Sequence, residues 1–277
     1  MGYLISLMVL GCHVQVLCAD AEIHALLAAN YGAMQGGGGD VVLRYWVSRA
    51  AQPAAFCITR AGHPSLVASD ARDLLFLLEQ DLIIALQWLR CDLYFLHAAA
   101  LAEAGYALLL VAASGQGKST LTWALLHHGF RYLSDELGPV DLTTRAVYSY
   151  PHALCLKNEP PGPYPLPPQT LSTSRAFYVP TDALPSTVYS EPTCLAAILF
   201  LRYRPGRSEP VLRLLSPAQA SARLLSQALN PLAHPSAGLD GAIAIAMSTT
   251  CFELQTADLP TTCALVTTTW QGLIHAP

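Results

Sequence analysis

"LLLVAASGQGKSTLTWALLHHGFRYLSDE", Leu108 to Glu136, is the stretch on which the reading of this chain turns. Its centre, Ala112-Ala113-Ser114-Gly115-Gln116-Gly117-Lys118-Ser119, occupies the eight positions of the phosphate-binding pattern G-x-x-x-x-G-K-[ST], with Ala where the first Gly belongs. Gly115 and Gly117 let the backbone curl so that successive N–H groups converge on phosphate oxygens. A helix starting near Lys118 adds the partial positive charge of its N-terminus. Ser114, Gly115, Gln116, Gly117, Lys118, Ser119 and Thr120 then form the nucleotide cradle. Lys118 is placed to reach the β- and γ-phosphates, and the Ser119 hydroxyl to ligate Mg²⁺. A glycine-rich turn is the bland alternative. The flanking sequence argues against it, because an apolar strand pattern precedes the loop and a helical one follows.

Asp135 and Glu136 come only 16 and 17 residues after Ser119, enough for one helix, one turn and one short strand. Alone, such a pair reads as a solvated turn. Here the spacing returns the chain to the loop, where the ends of strands in α/β sheets hold ligands. A carboxylate pair at that place can support a metal and accept a proton from an attacking hydroxyl.

The bulk properties narrow the setting. The chain has 277 residues and a net charge of −4, so no basic field points to nucleic acid as a partner. Charged residues are only 12% of it and mean hydropathy is +0.37. The apolar runs Tyr106–Ala113 and Cys194–Leu201 nevertheless fall well short of the ~18–20 residues a membrane span needs. No membrane partner is expected, and so low a charge is compatible with a homo-oligomer interface. The N-terminal "MGYLISLMVLGC" touches myristoylation and lipoprotein patterns, but with no Lys or Arg ahead of a short apolar run it reads as a first β-strand. Eight scattered cysteines show no zinc spacing, so a reduced, cytoplasmic protein is expected.

Along the chain, "MQGGGGD" (Met34–Asp40) reads as a connector, and Val41–Val47 and Ala54–Thr59 as strands. Ser69–Asp70 caps a helix with apolar positions at Leu74, Leu75, Leu78, Leu82, Ile83, Leu86 and Leu89. Tyr94–Ala102 and Tyr106–Ala113 read as two strands about a tight turn at Glu103–Gly105, and the helix after the loop runs to His128, closed by Gly129. Short strands follow around Arg131–Leu133, Gly138–Leu142 and Ala146–Tyr150. "NEPPGPYPLPPQ" (Asn158–Gln169) is a long loop or lid. Leu195–Tyr203 and Pro210–Leu215 suggest a hairpin around "RPGRSE". A helix from Ser216–Pro217 to about Leu229, a strand Thr250–Thr256 and a helix Pro260–Trp270 close the chain.

From Gly115 to Glu136, "GQGKSTLTWALLHHGFRYLSDE" resembles the HPr kinase/phosphorylase family, without a gap. That family pairs a G-D-S-G-x-G-K-S loop with R-G-H-R-L-V-A-D-D at the same distance. His97 in "YFLHAAAL" falls where the family has a His on the strand before the loop strand. The resemblance spans Phe95–Asp141 and is closest to HPr-kinase-like proteins of peptide natural-product gene clusters, including those that phosphorylate lasso-peptide precursors. It implies an α/β fold with a P-loop kinase core of the HPr kinase/PEP carboxykinase-like type and a smaller strand-rich N-terminal part. Residues 1–92 would form an α+β region and residues 93–277 the catalytic domain.

The same resemblance implies ATP and Mg²⁺ as cofactors and a Ser hydroxyl on a peptide or protein as acceptor. Asp135 would be the general base, Glu136 a metal ligand with Ser119 and Asp135, Lys118 the stabiliser of the transferring group, and His97 a neighbour of the γ-phosphate. Lys157 is a candidate second phosphate contact. The chain departs from the family at Ala112–Ala113 (Gly–Asp) and Glu136 (Asp), and it lacks the glycine-rich signature of the reverse reaction. A kinase is therefore expected, not a phosphorylase, with an acceptor other than HPr. A nucleotide-binding regulator or ATPase, and a kinase of a small molecule, stay open as alternatives.

Overall fold

The apolar N-terminal run is a strand. β1 (Tyr3–Val9) turns at Leu10–Gly11, with φ of 50° and 77°, into the antiparallel β2 (Cys12–Cys18). Two left-handed residues are what a tight hairpin turn demands. The computed structural model describes residues 2–51, 55–173, 176–204 and 206–275. After β2 comes α1 (Ala21–Asn30), capped by Asp20, which accepts from the Ile23 N–H at 3.0 Å. It leads to β3 (Val41–Arg49), parallel to β2. β4 (Phe56–Arg60) and β5 (Leu66–Ala68) complete a five-stranded sheet in the order β1-β2-β3-β4-β5. The strand expected from Ala54 begins at Phe56, and Ala54 itself lies outside the described residues.

α2 (Ala71–Leu89) packs on this sheet. Asp70 caps it by accepting from the Asp73 N–H at 2.8 Å, and Leu74, Leu75, Leu78, Leu82 and Leu86 form the buried stripe. Its core layer runs on into Leu93, Phe95, Leu137, Tyr150 and Tyr178, so residues 1–92 and 93–277 share packing.

The main sheet begins with β6 (Leu93–Leu96), β7 (Ala98–Glu103) and β8 (Tyr106–Val111). The stretch expected as one strand over Tyr94–Ala102 is broken at His97. β6 pairs with β10 (Gly138–Asp141), whereas β7 pairs with β8 and with β9 (Arg131–Ser134). α3 (Lys118–Leu126) lies between β8 and β9, and β11 (Ala146–Val147) follows β10. A small sheet of β12 (Leu154–Leu156), β13 (Leu171–Ser172) and β14 (Phe177–Val179) packs on the α3 side. β15 (Thr193–Tyr203), β16 (Val211–Leu214), α4 (Pro217–Ser226), α5 (Leu239–Ser248), β17 (Thr250–Thr256) and α6 (Leu259–Ile274) complete the chain.

The main sheet runs β6-β10-β11-β15-β8-β7-β9, with β17 on β15 and β16 beyond β17. Apolar layers cover both faces: α3 and α6 on one, α4 and α5 on the other. The expected β15–β16 hairpin does not form. β17 lies between them, parallel to β15 and antiparallel to β16. The physical reason is burial. β17 carries the buried Cys251, Glu253 and Leu254, while all of β16 is open or half-open, so the inner slot goes to β17 and the edge to β16. Pro205, between β15 and β16 in the chain, lies outside the described residues.

The proline-rich segment 158–169 makes turns but no strand or helix. It is pinned by Tyr164 to α3 and to the turn after it: the Trp123 indole N–H donates to the Tyr164 carbonyl at 3.0 Å, and His128 bonds the Tyr164 hydroxyl at 2.8 Å. No helix among the described residues is long and apolar enough to cross a membrane.

Candidate active site

Strand direction assembles the site. β7 is antiparallel to both β8 and β9, so β8 and β9 run the same way; β15 and β17 are parallel to β8 in turn. The C-terminal ends of β8, β9, β15 and β17 therefore lie along one edge of the sheet. The start of β7 is there too, since Ala98 pairs with Val111. That edge brings together His97, the loop after Val111, the acids after Ser134, and Tyr203. Ligands gather at such an edge in open α/β sheets.

In the loop, Gly115 and Gly117 have φ of +83° and +84°. A Cβ at either would meet nothing within 4 Å, so conformation, not space, is what demands glycine there. Gly117 is the N-cap of α3 and supplies no side-chain acceptor, which leaves the first-turn N–H groups of the helix aimed at the loop's concavity. Ala112, in the place of the family's first glycine, is buried among Leu108, Leu110 and Leu121. The missing glycine is thus a core position. Ser114 and Gln116 brace the loop from two sides. Lys157 donates to the Ser114 hydroxyl at 2.6 Å, and the Tyr203 backbone N–H donates to Gln116 Oε1 at 2.9 Å.

The acids sit on a tight turn closed by the Leu137 N–H donating to Ser134 Oγ at 3.2 Å. Lys118, 6% exposed, extends under the loop to that turn. Its Nζ donates to the Asp135 carbonyl at 2.9 Å and to Glu136 Oε2 at 3.2 Å, and lies 3.1 Å from His97 Nε2. His97 Nε2 is itself 3.0 Å from Glu136 Oε2, while its Nδ1 faces Gln227 Oε1 at 3.4 Å. Lys118, His97 and Glu136 form one tightly connected knot.

Asp135 is placed differently. It is fully buried, the Ser119 hydroxyl lies beside it, and neither carboxylate oxygen has an aligned hydrogen-bond partner among the described residues. The two acids titrate as a pair with opposite shifts. Burial first, then the neighbouring Glu136 charge, push Asp135 up to about 6 against the pull of Lys118 and His152. Burial also acts to raise Glu136, but the His97 hydrogen bond and the Lys118 charge outweigh it and hold Glu136 low.

A cleft of about 140 Å³ opens over the loop, lined by His97, Ser114, Gly115, Gly117, Lys118, Ser119, Thr120 and Glu136, with Ala113, Cys155, Lys157 and Asn158. Gln116 braces this cleft without lining it, and Asp135 stands behind its Ser119 wall. Cys155 and Asn158 carry no sequence pattern that marks them. A further polar layer lies behind Asp135. Glu79 of α2 and His152 approach to 3.3 Å without hydrogen-bond alignment, near the unpartnered hydroxyls of Tyr31, Tyr132 and Tyr150. The one sequence hint is a carboxylate next to the Leu78 stripe of α2.

No family model matches the chain, and no curated protein matches it in sequence. Among solved structures, it is similar to that of the Hpr(Ser) kinase/phosphatase from Coxiella burnetii, at 14% identity over 65% of this chain and 98% of that one, with a TM-score of 0.31.

Proposed function

We propose that the chain is an ATP- and Mg²⁺-dependent kinase whose acceptor is a hydroxyl, that of a Ser in a peptide or protein such as the precursor of a ribosomal natural product. The observation that supports it is the convergence of a phosphate loop, a buried lysine and a carboxylate pair at one sheet edge. A loop alone binds nucleotide; the acids add a place for the acceptor's proton.

The residues fit both absent groups. Left-handed glycines and the free N–H groups of α3 suit phosphate oxygens. Ser119, the unpartnered oxygens of Asp135, and Glu136 are hard oxygen donors. Mg²⁺ commonly takes one or two carboxylates and completes its shell with phosphate oxygens and water. No cluster of three or more His, Cys, Asp or Glu among the described residues forms an all-protein cage, and that chemistry needs none. When bound, the ion supplies charge neutralisation at the phosphates.

Lys118 stabilises charge on the transferring group and the leaving diphosphate, and His97 lends a second donor beside it. Asp135 takes the acceptor's proton as the acceptor oxygen bonds phosphorus and the bond to the leaving oxygen breaks. Asp135 is fully buried beside Ser119, so the acceptor reaches it only once that wall opens.

That closed wall favours a second reading, a nucleotide-binding ATPase or regulator with water as its acceptor. γ-Labelled ATP, with the purified protein and candidate acceptor peptides, separates the two. A labelled peptide, lost in Asp135→Asn, supports the kinase. Released phosphate with no labelled peptide supports the second reading, and undiminished peptide labelling by Asp135→Asn overturns the assigned base.

A further inference from the structure

The loop's two flanks differ in chemistry. On one side stand His97 and the acids; on the other stands the end of β15. β15 leaves its register with β8 at Phe200–Val111 and continues through Leu201 and Arg202 to Tyr203, which ties itself to Gln116 in the loop. That overrun carries an aromatic residue, 52% exposed, past the point where the phosphate loop begins.

The face on which the ring lies follows from the strand period. Ala197, Leu199 and Leu201 pack in the layer with Trp123 of α3 and Trp270 of α6. Alternation puts Tyr203 on that same face, the one from which α3 presents its N-terminus. Its partner in β17 is Thr256, and Leu254, two residues before Thr256, is in the same layer. Tyr203 and Thr256 are thus neighbours at the C-terminal ends of two parallel strands, across the loop from the acids.

We infer that the ends of β15 and β17 hold the nucleoside of the phosphoryl donor, with the Tyr203 ring as the stacking surface for its base and the Thr256 hydroxyl beside it. This rests on the nucleotide-donor reading above and sharpens it. The transferable phosphoryl group faces Lys118, His97 and the acids, so the rest of the donor leaves the loop on the opposite side. Aromatic stacking tolerates any base but needs one, because every base has a π-face. The donor is therefore a nucleoside triphosphate in preference to an inorganic polyphosphate, and the acceptor enters from the His97 side.

Calorimetric titration of the full chain with Mg·ATP and with Mg·tripolyphosphate tests this. The wild type is expected to bind ATP the more tightly. Tyr203→Ala is expected to weaken ATP by roughly 10- to 100-fold, the range of one lost stacking contact, and to leave tripolyphosphate unchanged. Tyr203→Phe is expected to keep both. All three proteins retain the backbone N–H that bonds Gln116, so unchanged tripolyphosphate binding also reports an intact loop. Equal affinity of the wild type for the two ligands overturns the subsite and leaves the phosphate loop standing, as does an equal loss of both, or of neither, in Tyr203→Ala. A wild type that binds neither ligand overturns the nucleotide reading and the subsite together.

Discussion

His152 and Glu79 meet at 3.3 Å in the layer between α2 and the main sheet, a contact that joins the N-terminal region to the wall behind Asp135. His152 is 1% exposed, and burial raises the Glu79 carboxyl above its ordinary range while His152 draws it back. Removing one member of a buried pair strands the other, at a cost of about 3 kcal/mol, whereas removing both is far cheaper. Urea unfolding should show His152→Leu strongly destabilised and Glu79→Leu/His152→Leu closer to wild type. A double variant that loses the sum of both single losses would mean that the residues do not act as a pair.

Asp135 offers a test of sign. Its carboxyl is raised to about 6 in the folded chain, largely by burial, from an unfolded value near 3.8. A carboxyl raised by folding holds its proton better in the native state. Its stability contribution is full below the unfolded value and is lost as pH rises through about 6. Asp135→Asn removes that loss. The variant should melt above wild type at pH 8, and the advantage should vanish by about pH 4. Glu136 runs the other way: its folded value is lowered, so Glu136→Gln forfeits stability at pH 8 that acid already removes from wild type. Identical melting differences at pH 4 and pH 8 would remove burial as the cause for Asp135.

What could be read from the residues was what local pattern encodes. α2 shows its stripe, β17 matches Thr250–Thr256, and the loop carries its glycines at fixed offsets. α1 escaped because "AEIHALLAAN" is alanine-rich with a weak polar face, and α5 because "LDGAIAIAMS" is apolar on all sides. The insertion of β17 between β15 and β16 is a long-range pairing that neither segment announces. Within the site, Lys118, His97 and Glu136 come together, while the depth of Asp135 was hidden. A one-residue step along a turn separates the half-open Glu136 from the sealed Asp135.

Lys118 is the hub of the knot, contacting His97, Glu136 and the Asp135 carbonyl. Lys118→Met should lower phosphoryl transfer by roughly 10²–10³-fold, the usual cost of one transition-state donor. It should also raise both carboxyls, because the Lys118 charge lowers each. Carboxyl titration followed by ¹³C NMR checks the second effect independently of activity. Unmoved carboxyls would place the lysine charge elsewhere.

The substitution that first marks the loop as irregular should be the least consequential for binding. Ala112 is buried in the apolar layer that also holds Leu108, Leu110 and Leu121, and it precedes both left-handed residues of the loop. Restoring glycine there removes a buried methyl and loosens the chain, so Ala112→Gly should destabilise by about 1 kcal/mol and leave Mg·ATP affinity within twofold. Gly117→Ala should do the reverse. At φ +84° the alanine costs about 1–2 kcal/mol of backbone strain, which the loop can relieve by abandoning the left-handed turn that aims its N–H groups. Nucleotide affinity should then fall by more than tenfold. Calorimetry on the two variants side by side decides it, since tighter nucleotide binding by Ala112→Gly would show that the first glycine is missed after all.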